Sequence, residues 1–206
     1  MVVIHYTAMA SAAASCARLC DPAAEVSAHW LVDLDGAVTR LVPEELRAWH
    51  AGAGRWGAVT DVNSRSIGIE LQNTGAHPFP EAQVRALERL LEGIMARWAI
   101  PPERVIGHSD MAPARKADPG PRFDWRRLAL SGLSVWPGGA VGFTHPTFRA
   151  AAVAFGYDPD LAEEVILRAF RLRFRPWATG PADAVDAALA ADLAARWPVD
   201  GGGPAA

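Results

Sequence analysis

The chain has 206 residues, half of them hydrophobic, with 20 basic and 23 acidic side chains leaving a formal charge of -3. That length and composition exclude a disordered chain and accommodate one domain of ordinary size plus a small one, while the balanced charge excludes an electrostatic footprint for nucleic acid or an anionic membrane. The only cysteines, Cys16 and Cys20, lie four apart on a helical stretch, a poor disulfide pair, which excludes a disulfide-built domain and a four-cysteine zinc site.

Val2 to Tyr6 reads as a buried strand and Ala8 to Cys20 as an alanine-rich helix that stops at Asp21-Pro22. His29 to Val32 and Val38 to Val42, joined across Asp35-Gly36, read as a hairpin. Ser66 to Leu71 is a further strand-length apolar run. Val84, Leu87, Leu90, Leu91, Ile94 and Met95 recur at three- and four-residue steps, so Pro80 to Trp98 is predicted as an amphipathic helix. Arg104 to Gly107 reads as a last short strand, and Asp110 to Trp125, interrupted by three prolines, as an ordered loop. These elements predict an α/β or α+β domain over residues 1–132. A Gly/Pro-rich linker is expected at 133–146, a three-helix domain at 147–199 and a flexible tail at 200–206.

His5 and His108 each end an apolar strand, where a sheet presents side chains to a cleft. Asp118 follows His108 by ten positions, and two imidazoles with one carboxylate make a catalytic zinc shell with a fourth position open for water. On spacing alone, His5 reads equally well as a hydrogen-bonded core histidine. Glu70 closes the run Ile67-Gly68-Ile69 and reads as a general base or as half of a local salt bridge. Lys116 reads as an oxyanion partner beside Asp118 or as a surface lysine. Trp49 reads as a sugar or peptide contact or as core, and His29 and His50 sit beside it. His77 and His145 receive no role.

The segments Val3-Ile4-His5-Tyr6-Thr7, Ser27-Ala28-His29-Trp30, Ala48-Trp49-His50-Ala51-Gly52, Asn63 with Ser66 to Glu70, and Gly107-His108 through Asp118-Pro119-Gly120 occur together and in order. In this they resemble the zinc N-acetylmuramoyl-L-alanine amidases. The resemblance implies a mixed central sheet flanked by helices, zinc ligands at His5, His108 and Asp118, and a catalytic pair at Glu70 and Lys116; substrate contacts are expected at His29, Trp49, His50 and Asn63. It also implies one Zn2+ ion and hydrolysis of the amide bond between N-acetylmuramic acid and L-alanine in peptidoglycan or muropeptides. A non-catalytic peptidoglycan-binding protein is the alternative, against which all five positions of the metal and catalytic sets are intact.

Only 23 residues separate His5 from His29, and Phe155-Gly156-Tyr157, Arg168 to Phe170 and Phe174-Arg175-Pro176 resemble the peptidoglycan-binding module of the envelope branch. Both features point to polymeric wall as the target. Trp30 and Asp61 depart from the residues usual in relatives. No apolar run has the length of a membrane span, a monomer is expected, and the chain as written predicts the cytoplasm. The periplasm or outer membrane is the alternative if a segment precedes residue 1.

Overall fold

The computed structural model describes residues 1–138 and 147–199. Strands β1 (Val2–Tyr6), β2 (Trp30–Val32), β3 (Val38–Arg40), β4 (Ile67–Leu71) and β5 (Val105–Gly107) form one sheet in the order β3-β2-β4-β1-β5. β2, β4, β1 and β5 run parallel to one another and β3 returns antiparallel to β2, which is the mixed central sheet that the family resemblance implies. The helices are α1 (Ala12–Leu19), α2 (Glu81–Trp98), α3 (His108–Met111), α4 (Trp125–Leu130), α5 (Phe148–Phe155), α6 (Glu163–Phe174) and α7 (Ala184–Arg196).

Strand alternation divides the core into two layers. Val2 and Ile4 join Ile67, Ile69 and Leu71 against Leu87, Leu91 and Ile94 of α2, the stripe whose period predicts that helix. Val3 faces the opposite way, into a cluster with Ile106, Ala51, Trp56 and α5 to α7. Each such aliphatic side chain contributes roughly 1.5–3 kcal/mol on full burial, and both faces of the sheet are therefore covered. Helix α1 is shorter than its propensity suggests, because Ala8 takes a left-handed backbone (φ 54°) and Ser11 caps the helix by accepting from the Ala14 amide. A four-residue helix, α3, begins at His108 and runs into the stretch predicted as loop from Asp110.

Helices α5 to α7 share their core with the sheet. Trp56 packs edge-on to Phe155 and Tyr157 at ring separations of 5.4 and 5.2 Å, and the Gly57 amide donates to Gly156 O. Arg173, fully enclosed, donates from Nη1 to Asp110 Oδ2 (2.7 Å) and from Nη2 to Ser134 Oγ, and lies 4.2 Å over the Trp125 ring. Tyr157 donates its hydroxyl to the other oxygen of Asp110. Residues 133–138 are packed as well: Leu133 and Val135 are buried, and the Gly138 amide donates to Asp192. The remainder of the expected linker, 139–146, and the tail expected at 200–206 lie outside the described residues.

Removing one member of a buried ion pair leaves the other charge unpaired, at about 3–5 kcal/mol. Arg173→Met is therefore expected to lower unfolding stability by about that amount. In urea denaturation followed by fluorescence, a loss under about 1 kcal/mol would show that Asp110 finds other partners.

Candidate active site

The site forms where three parallel strands end side by side. β4, β1 and β5 are neighbours, and their registers pair His5 with Glu70 and Ile4 with Gly107, so His108 emerges one residue beyond the β5 end next to His5. The carboxyl ends of parallel strands are where open α/β sheets place ligands. Asp118 returns to this edge on the loop after α3, with the Ser109 amide donating to Asp118 O and Pro119 packed against Gly107.

His5 Nδ1, His108 Nδ1 and Asp118 Oδ2 face one another at 2.9, 3.1 and 3.0 Å, and all three residues are buried. The far nitrogens settle the tautomers. His108 Nε2 lies 2.9 Å from Ala51 O, a pure acceptor, so in the neutral ring it carries the hydrogen and leaves the lone pair on Nδ1. Burial first, then the neighbouring His108, lowers the His5 pKa to about 4, against a smaller raising effect of Asp118; His5 is therefore neutral at pH 7. Burial raises the Asp118 carboxyl, but its contacts with His108 and His5 bring it below the ordinary carboxylate range, so it is an anion. Electron pairs converge there, and these three groups fit, and could hold, a metal ion.

Glu70 lies beside this trio. Part of its side chain reaches the groove, while Oε2 is enclosed and finds no hydrogen-bond partner among the described residues. Burial, then the Asp118 charge, pushes its pKa up to about 8, opposed by Lys116. Lys116 is exposed and lines the same groove, which has a volume of about 530 Å³. Trp49, half exposed, forms part of its wall, with Tyr6, Thr7 and Arg115 nearby.

The structure thus brings together His5, His108, Asp118, Glu70, Lys116, Trp49 and His50. It gives His29 and Asn63 other tasks. His29 Nε2 lies at 3.0 Å from Leu46 O and its Nδ1 accepts from the Gly68 amide, so the buried ring ties β4 to the loop before it. Asn63 Oδ1 accepts from the amides of His50 and Ala51 and holds the backbone that carries them. Trp30 donates its indole N–H to Glu44, and Asp61 accepts from Arg47. His77 is exposed and His145 lies outside the described residues.

Two contributors carry little signal in the sequence. Arg115 donates to Ala51 O and Ala53 O, bracing the carbonyl that fixes His108; its place three residues before Asp118 is the available signal. Ser66 donates to Val62 O at 2.5 Å and meets His50 Nε2 at 3.3 Å. Its signal is strand alternation, which puts Ser66 and Glu70 on one side of β4.

Known proteins resemble this chain in sequence and fold. Residues 1–121 match the family model described as N-acetylmuramoyl-L-alanine amidase. The chain is 38% identical to N-acetylmuramoyl-L-alanine amidase AmiD of Escherichia coli over 97% of its own length and 84% of that protein. It is 42% identical to 1,6-anhydro-N-acetylmuramyl-L-alanine amidase AmpD of Enterobacter cloacae, over 50% of this chain and 55% of that protein. Among solved structures, E. coli AmiD in complex with anhydro-N-acetylmuramic acid-L-Ala-D-gamma-Glu-L-Lys superposes with a TM-score of 0.85 at 37% identity, covering 96% of this chain and 89% of that one. AMPDH3 of Pseudomonas aeruginosa gives 0.87 at 31% identity, covering 96% and 91%. On the match of its first 121 residues and on its likeness to AmiD along nearly its whole length, this chain belongs to the N-acetylmuramoyl-L-alanine amidase family.

Proposed function

We infer that the chain hydrolyses the amide bond between N-acetylmuramic acid and L-alanine of peptidoglycan or muropeptides, with one zinc ion held by His5, His108 and Asp118. The observation that carries this reading is the convergence of two imidazole nitrogens and a carboxylate oxygen within 4.8 Å of one another, beside the Glu70 carboxylate, whose buried Oε2 has no hydrogen-bond partner among the described residues. Two imidazoles and one carboxylate are a donor set of catalytic zinc sites, and three protein ligands leave a position open. When bound, zinc supplies Lewis acidity, polarising a carbonyl and acidifying water near neutral pH.

The chain's own residues supply the rest. Glu70 takes the proton of the attacking water on its enclosed carboxylate and delivers it to the alanine nitrogen as the C–N bond breaks. The Lys116 charge opposes the burial that raises the Glu70 pKa, which favours the ionised form that a base requires. The Lys116 ammonium, free in the groove, stands against the negative charge that develops on the former carbonyl oxygen. Trp49 offers a flat apolar face for the sugar or peptide. Similarity to AmiD covers 97% of the chain, whereas that to AmpD covers 50% of it.

The test is release of L-alanine-headed peptides from purified peptidoglycan and from soluble anhydro-muropeptides. Activity is expected in zinc-loaded protein and lost with chelator. Glu70→Ala is expected to lower kcat by about 100- to 10,000-fold with zinc affinity retained, and Lys116→Ala by about 100- to 1,000-fold. A zinc-loaded wild type that releases nothing from either substrate would sink the reading.

The Glu70 shift also makes a pH prediction for zinc-free protein. Its folded pKa is raised from 4.5 to about 8, so the folded state favours the protonated carboxyl. Stability from this group is complete below pH 4.5 and is lost as pH rises through about 8. In thermal melts without zinc, Glu70→Gln is expected to raise Tm over wild type by an amount that grows from pH 5 to pH 9; an equal gain at both ends contradicts it.

A further inference from the structure

His50 lies one shell behind the metal groups, and its ring is fixed more tightly than a groove contact requires. His5 Nε2 meets His50 Nδ1 at 3.0 Å, His50 Nε2 meets Ser66 Oγ at 3.3 Å, and Ser66 Oγ donates to Val62 O at 2.5 Å. A carbonyl oxygen only accepts, so the chain has one direction. Ser66 gives its hydroxyl hydrogen to Val62 O and accepts from His50 Nε2–H, which leaves His50 Nδ1 to accept from His5 Nε2–H. The last member, His5, is left with its lone pair on Nδ1, aimed at His108 and Asp118. The backbone shape agrees. A Cβ on Gly68 would come within 2.3 Å of His50 Cγ, so the ring lies flush on bare strand backbone, held beneath by Gly68 and at its rim by Ser66.

We propose that His50 and Ser66 are positioning residues for zinc, locking His5 in the tautomer and orientation that present Nδ1 to the metal. His108 needs no such relay, because Ala51 O orients it directly. Outer partners of ligating histidines are worth about 10- to 100-fold in metal affinity. The inference rests on His5 being a zinc ligand, and the experiment separates the two claims.

Zinc affinity is measured by competition with a chromogenic chelator for wild type, His5→Ala, His50→Phe, Ser66→Ala and Ser66→Thr, alongside urea denaturation of each zinc-free protein. His50→Phe keeps a ring over Gly68 but removes both hydrogen bonds, and is expected to weaken zinc binding by about 10- to 100-fold. Ser66→Ala is expected to weaken it in the same direction, and Ser66→Thr, which keeps the hydroxyl, to restore it. His50→Phe and Ser66→Ala affinities within about twofold of wild type, with His5→Ala defective, would overturn the positioning role while leaving the ligand assignment standing. The positioning role is equally overturned if zinc-free stability falls but affinity does not, since His50 and Ser66 then serve the fold alone. If His5→Ala binds zinc like wild type, or wild type binds none, the ligand assignment fails and the relay with it.

Discussion

Three buried electron-pair donors pointing at one another are unfavourable without a positive charge between them, and much of this fold is occupied with holding them there. His5 Nδ1, His108 Nδ1 and Asp118 Oδ2 approach within about 3 Å across three separate stretches of chain. Each is restrained from behind: His108 by a carbonyl, His5 by a second imidazole, Asp118 by the amide of Ser109 on its backbone and by Pro119 packed on Gly107. A site held so firmly has lost its conformational entropy during folding, so a metal that enters it meets preorganised ligands.

The C-terminal helices take part in that restraint. Asp110 is two residues from His108, and Arg173 of α6 and Tyr157 grip its two oxygens inside the core. A buried charge pair of this kind adds little net stability over an apolar one but tolerates few alternative arrangements. The helices therefore act on the His5, His108 and Asp118 cluster at one remove, by fixing the turn of α3 from which His108 projects.

Much of this is legible in the sequence for physical reasons that can be named. The period of Val84 to Met95 announces α2, and the apolar runs ending in His5 and His108 announce strands that deliver side chains to an edge. The pairing of those ends is legible only through the ordered flanking segments, because strand order is a non-local property. The four-residue helix at His108 has no periodicity to read. His29 and Asn63 stand in the family's flanking segments, yet what their polar atoms meet is backbone, at Leu46, Gly68, His50 and Ala51, and backbone partners leave no trace in residue identity. The link between Asp110 and Arg173 spans 63 positions and is equally invisible.

Strand β4 carries a last consequence. Ser66, Gly68 and Glu70 occupy alternate positions on one side of it, while Ile67, Ile69 and Leu71 occupy the other and are buried against α2. A slip of one residue against β1 would exchange the two sets, driving a serine and a glutamate into hydrocarbon and three aliphatic side chains into the groove. The cost of that exchange means that apolar packing on the far face of the sheet, with no atom near the chemistry, is what enforces catalytic alignment. Enlarging or trimming Ile69 is in this sense an active-site mutation delivered through the floor.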